Sequence, residues 1–229
     1  MSEITEANNH SFPIDQFHAS LRTWDAKYRR AFPWRITDNP FHILIAELML
    51  RRTQARQVIN VYNDFIAKYP DAYALATAPA EDVAHSLFSL GLAWRVSAFQ
   101  QIAHALVDHY DGTVPSSYDA LVALPGIGDY VASAICCFAF GQAVIIVDTN
   151  TVRVAGRLFD TPTHAESRRR KPMRKLLQML LDREEPVVYN YAMLDLAALV
   201  CTSTNPNCSM CPLSSCCVTG QEQTACQNG

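Results

Sequence analysis

Leu124-Pro125-Gly126-Ile127-Gly128-Asp129-Tyr130 forms a tight turn between two helical patterns, Tyr118–Leu124 and Tyr130–Phe140. Its glycines permit positive φ and close approach of other backbone or ligand atoms. The N–H groups that open the second helix suit an anionic oxygen. Twenty residues after Gly128 stands Asp148. It follows the apolar run Ala143-Val144-Ile145-Ile146-Val147 and precedes a third helical pattern, Thr149–Phe159. An aspartate so placed caps a helix. The apolar run is strand-like in composition but short, so it reads as an extended buried connection.

Outward from this stretch nearly every segment has helical spacing. His42–Leu50 is apolar almost all round, the pattern of a buried helix. Ala55–Lys68 repeats through Val58, Ile59, Tyr62, Phe65 and Ile66 until Tyr69-Pro70-Asp71 breaks it. Pro79-Ala80-Glu81 opens another helix, with acid where the dipole favours it. Trp94–Tyr110, Lys171–Asp182 and Val187–Val200 complete the set. The chain shows no internal repeat or low-complexity segment, and only roughly ten polar residues at each end read as disordered.

Of 229 residues, 49% are hydrophobic, enough to bury a sizeable core. The net charge of −3 runs against a polyanionic partner, because phosphate binding is mainly electrostatic. The distribution matters more than the sum. Basic residues gather at Arg51-Arg52 and at Arg168-Arg169-Arg170-Lys171, with Arg174 and Lys175 close behind. Such a run is either a solvated helix face or a phosphate-facing surface. Met1–Ser11 has no basic start or apolar core like a signal peptide, and no apolar run is long enough to span a bilayer. The expected location is cytoplasmic and nucleoid-associated, with no membrane partner.

Eight cysteines in such a chain point to metal rather than to disulfides. Cys201, Cys208, Cys211 and Cys217 follow the spacing C-x6-C-x2-C-x5-C, a closed thiolate set for iron–sulfur or zinc. Pro206 and Pro212 stiffen the loop. Cys216 adjoins Cys217, so the fourth ligand is open between the two. Cys226 is a spare.

The combination of hairpin, Val147-Asp148-Thr149-Asn150 with Arg153-Val154, and the four cysteines resembles the helix–hairpin–helix DNA glycosylases of the endonuclease III family. The resemblance runs from about Phe32 to Cys217. Phe32-Pro33-Trp34-Arg35, Ile45–Thr53 and Cys136–Gly141 resemble thymine–guanine mismatch glycosylases most, then adenine glycosylases, then endonuclease III itself. It implies an all-α, two-domain fold with an iron–sulfur cluster loop. Residues 37–142 would form a six-helix domain containing the hairpin. Residues 1–36 and 143–229 would form a cluster-bearing domain, with the active-site cleft between the two. The implied cofactor is a 4Fe–4S cluster on Cys201, Cys208, Cys211 and Cys217.

Three features sort these relatives. Bifunctional members carry a lysine two residues after the second hairpin glycine, whose amine attacks the sugar. Here that position is Tyr130, so the resemblance implies cleavage of the glycosidic bond alone, with the tyrosine lining the base pocket. Glu47 sits in the apolar helix on one face with Ile43, Leu44, Leu50 and Arg51. It either pairs with Arg51 or, as in the adenine and thymine–guanine relatives, faces the flipped base as a proton donor. Third, the chain ends twelve residues after Cys217, where adenine glycosylases usually add a domain that inspects 8-oxoguanine.

The implied chemistry begins with extrusion of the target base, since it cannot be reached inside the duplex. Asp148 would stabilise positive charge developing on the sugar and orient a water. Asn150 would polarise the site, and Arg51, Arg52 and Thr53 would approach the gap in the helix. Gly126 and Gly128 would hold the backbone without reading sequence. The expected substrate is duplex DNA with thymine or uracil opposite guanine, bound by a monomer. The alternatives are adenine opposite guanine or 8-oxoguanine, a modified base, or an inactive cluster-bearing binding module. Two departures stand out. The loop Thr202–Asn207 carries no charge, and Asp129 is acidic where relatives are commonly basic.

Overall fold

The computed structural model describes residues 12–227 except 52, 92–94 and 165, and for 224–227 the backbone alone. Every regular element among the described residues is helical. The chain forms two compact units: Ala31–Gln142, and the residues up to Arg30 together with those from Ala143 on.

The first helix among the described residues is α1 (Ile14–Tyr28), which buries Phe17, Leu21 and Trp24 along one face. The sequence reading assigns no element here, although those three residues carry helical spacing.

The middle unit holds seven α-helices among its described residues. The first is α2 (Pro40–Leu50). The side-chain oxygen of Asn39 accepts the N–H groups of Phe41 and His42 at 2.9 and 3.4 Å, and Pro40 begins the first turn. Then come α3 (Ala55–Lys68), α4 (Ala72–Thr77), α5 (Ala80–Leu87), α6 (Val96–Tyr110), α7 (Tyr118–Ala123) and α8 (Asp129–Phe138). The expected count is six; α4 is the addition. Asp71 caps it by accepting the Ala74 N–H at 2.8 Å, and six residues are too few to show a period. Helix α2 is buried without interruption from Ile43 through Met49 and packs against α8, buried from Val131 through Phe138. Phe32 stacks on Trp34 at 4.8 Å, and Trp34 meets Tyr62 edge-on at 5.4 Å. The contact with Tyr62 ties the segment before α2 to this unit, which begins at Ala31.

The other unit adds α9 (Thr149–Leu158), α10 (Lys171–Leu180), α11 (Pro186–Leu199) and α12 (Val218–Gln227) to α1. The last lies where the sequence reads as a polar tail. Helix α1 packs on α11, and α9 packs on both α10 and α11. Residues 143–147 carry no regular element and pair with a side chain. Asn190 of α11 accepts the Ile146 N–H at 3.3 Å and donates to the Val144 carbonyl at 3.0 Å. Asp195 of α11 is fully buried and accepts from the Arg30 backbone N–H at 2.8 Å and its Nε at 2.6 Å. Removing one member of such a pair costs about 3–5 kcal/mol, because the other charge is left in a poor solvent.

Candidate active site and cysteine loop

The hairpin is anchored by two buried side chains, Leu124 and Ile127, while Gly126, Gly128 and Asp129 stand toward solvent. The Ile127 N–H closes the turn on the Leu124 carbonyl at 3.2 Å. Gly126 has φ 74°, a left-handed value that a Cβ resists. Gly128 is different: its φ is −106°, so the backbone would accept any residue. A Cβ there would meet nothing within 4 Å. The chain's own packing therefore does not require glycine at 128. Asp129, the first residue of α8, accepts a hydrogen bond from the Tyr118 hydroxyl at 2.7 Å. Tyr130 follows in the same first turn, half-buried.

Glu47 is buried at 4% exposure in the middle of α2. The Arg51 guanidinium donates to the Gly126 carbonyl at 3.1 Å, and Arg95 donates to the Arg51 carbonyl at 2.9 Å. Arg51 thus ties the end of α2 to the hairpin turn. The Thr53 N–H donates to the Leu50 carbonyl at 3.3 Å. Arg52 lies outside the described residues.

Asp148 caps α9. Its Oδ1 accepts the N–H groups of Asn150 and Thr151 at 2.9 and 2.7 Å. The Thr151 hydroxyl oxygen in turn accepts the Asp148 N–H at 3.0 Å, completing a capping box. The other carboxylate oxygen, Oδ2, accepts from the Asn150 side-chain amide at 2.7 Å. Asn150 Oδ1 accepts from Arg153 at 3.1 Å, and Arg153 donates to the Cys201 carbonyl at 3.0 Å. Sequence reasoning brings Asp148 and Asn150 together. It misses the roles of Arg153 and Arg157, although their i, i+4 spacing on one helix is readable.

Arg157 fastens the cysteine loop, donating to the carbonyls of Thr202 and Ser203 at 2.7 and 3.0 Å and to the Cys201 sulfur at 3.3 Å. Cys201, Cys208, Cys211 and Cys217 all line one small pocket. Cys216 does not. Its thiol donates to the Leu213 carbonyl at 3.3 Å, while the Cys217 thiol donates to the Arg157 carbonyl at 3.3 Å, so of the two neighbours only Cys217 shares the pocket with the other three. The Cys217 sulfur accepts the Gly220 N–H at 3.4 Å. A Cβ on Gly220 would come 3.1 Å from the Ser214 Cα and 3.3 Å from the Cys217 Cβ, so glycine lets α12 close over the loop. Burial pushes the Cys211 thiol up to about 12 and raises Cys208 and Cys217. Burial thus favours the neutral thiol at all three positions. Among the described residues no three His, Cys, Asp or Glu side chains are grouped for a single metal ion.

Residues 45–179 match the family model described as HhH-GPD superfamily base excision DNA repair protein. The thymine/uracil-DNA glycosylase of Pyrobaculum aerophilum is 32% identical over 208 residues, covering 87% of this chain and 89% of that protein. The adenine DNA glycosylase of Mycobacterium tuberculosis is 34% identical over 86% of this chain but only 66% of its own length. The solved structure of a thermostable thymine-DNA glycosylase superposes with a TM-score of 0.84 at 30% identity, covering 91% of this chain and 97% of that one. With an all-helical fold like theirs, a hairpin and an aspartate-capped helix, the chain belongs to the helix–hairpin–helix superfamily of base excision DNA repair proteins.

Proposed function

We propose that the protein is a monofunctional DNA glycosylase that removes thymine or uracil opposite guanine from duplex DNA. The observation that carries this reading is Asp148, a carboxylate held by two backbone N–H groups and the Asn150 amide at the start of α9. A carboxylate fixed in this way stabilises positive charge on a sugar without having to reorganise. Water adds to the anomeric carbon as the bond to the base breaks, Asp148 takes a proton from that water, and the base leaves with a proton of its own. Glu47 donates a proton to the extruded base, and Tyr130 lines its pocket. Gly126 and Gly128 leave room for a phosphate at the hairpin, with Arg51 bracing the turn. The stretch Leu124–Tyr130 contains no amine, so no Schiff base forms there.

The thymine/uracil reading is favoured by a relative matched over 89% of its length. Adenine opposite guanine or 8-oxoguanine is the second reading, supported by 34% identity to an adenine glycosylase. The four cavity-lining cysteines would hold a 4Fe–4S cluster, in which each thiolate binds its own iron; a ring of sulfurs about a cavity suits that better than one tetrahedral ion. The cluster stiffens the loop and supplies no step of base removal. The protein acts as a cytoplasmic monomer.

Borohydride trapping tests the monofunctional claim. Wild-type protein should leave no covalent adduct on DNA from which it has released the base. An adduct formed in proportion to the released base would overturn the assignment of Tyr130.

A further inference from the structure

We propose that the stretch Arg168–Lys175 is a second DNA-binding surface, one that holds the phosphate backbone of duplex flanking the excised base and reads no sequence. Six of the chain's 19 lysines and arginines fall in these eight residues, and none of its 22 acids does. Arg168, Arg169, Arg170, Lys171 and Lys175 are exposed. Among the described residues, Arg169 alone of these five has an ion pair, with Glu166 at 3.0 Å.

The stretch is rigidly presented. Ser167 is buried, and its hydroxyl accepts the His164 N–H at 2.9 Å, fixing the turn before α10. Met173, Leu177 and Leu180 root α10 in the core of its unit. The cations therefore stand on a fixed scaffold and not on a tail.

Their arrangement works against the isolated protein. The start of a helix is the positive end of its dipole and favours acids, yet Arg170 and Lys171 stand there, and no side chain caps α10. Lys171 and Lys175 are like charges at i, i+4, as are Arg170 and Arg174. A face kept only for solubility would mix signs. This face gains only when a polyanion covers it. The hairpin makes the need concrete, because its first helical residue is Asp129, and the loop Thr202–Asn207 is uncharged. A chain of net charge −3 must gather positive potential somewhere to approach DNA.

The inference rests on DNA being the partner, as in the proposed function, but not on which base is removed. The test is binding to a fully matched duplex, followed by fluorescence anisotropy across a salt series. Wild type is compared with R168Q/R170Q/K171Q/K175Q, and with K171E/K175E as a second variant. The quadruple variant should unfold at the same temperature or higher, since repulsion has been removed. Its plot of log affinity against log salt should flatten by up to about 3.6, at about 0.9 for each of four phosphates no longer neutralised. Its affinity at low salt should fall at least tenfold, while single-turnover base release at saturating enzyme stays at the wild-type rate. An unchanged salt slope in both folded variants overturns the proposal. So does wild-type binding to phosphatidylserine vesicles that is lost in the variants while duplex binding is kept. A flattened slope in a protein whose wild type releases no base leaves this surface standing and removes the glycosylase reading instead.

Discussion

Asp148 has two jobs, and single substitutions separate them. As an N-cap it satisfies backbone donors, and asparagine does that as well as aspartate. As a charged group beside a developing cation it has no neutral substitute. Asp148→Asn keeps the capping bonds through Oδ1 but sets its amide against that of Asn150. It should therefore lower the unfolding midpoint less than Asp148→Ala does, and should lower single-turnover base release by about 100-fold or more. Asp148→Ala should in addition cost about 1 kcal/mol of stability. If Asp148→Asn keeps wild-type release, capping is the residue's whole role. Asp148 is legible in the sequence because an apolar run, an acid and a helical pattern come in that order. The link from Asn150 through Arg153 to Cys201 is not, since it depends on rotamers and on a partner 48 residues away. The chosen partner of Arg51 is equally hidden: spacing offers Glu47, and the guanidinium is found on the Gly126 carbonyl.

At the scale of elements, the hairpin glycines make opposite predictions. Gly126→Ala places a Cβ at φ 74° and should destabilise the protein by roughly 1–2 kcal/mol, measured by denaturant unfolding. Gly128→Ala meets neither strain nor a neighbour, so its stability change should stay within about 0.5 kcal/mol. It should nevertheless weaken duplex binding, because the open space is where a phosphate would approach. In the cysteine loop, Cys217→Ser should abolish the brown colour of the purified protein, and Cys216→Ser should keep it. Loss of colour in both would return the fourth ligand to doubt. Helix α2 can be read directly, since a segment apolar all round has nowhere to go but inside. Helix α4 is hidden by its length. Helices α1 and α12 are hidden by polar flanks, which for α1 mask the spacing of Phe17, Leu21 and Trp24.

At the scale of the whole molecule, each unit has its own core, and one of them is assembled from both ends of the chain. The break after Gln142 is visible as the start of an apolar extended run. The break near residue 30 is not, because it depends on the contact of Trp34 with Tyr62, 28 residues further on. Arg30 and Asp195 close the two-ended unit across 165 residues of sequence. Arg30→Ala should cost about 3–5 kcal/mol, since it leaves the buried Asp195 carboxylate without its guanidinium, and should lower the unfolding midpoint by about 6–20 °C. No sequence period can announce that pair, since an acid inside an apolar helix has many possible partners. Base specificity belongs to this scale too, because it requires groups from separate elements to act on one nucleotide. The most direct measurement is single-turnover base release, revealed by alkali, from matched duplexes and from T·G, U·G, A·G and A·8-oxoguanine pairs. Release from T·G and U·G that is lost in Asp148→Asn, with adenine left in place, is the predicted result. Release of adenine alone, or of no base from any duplex, would contradict it.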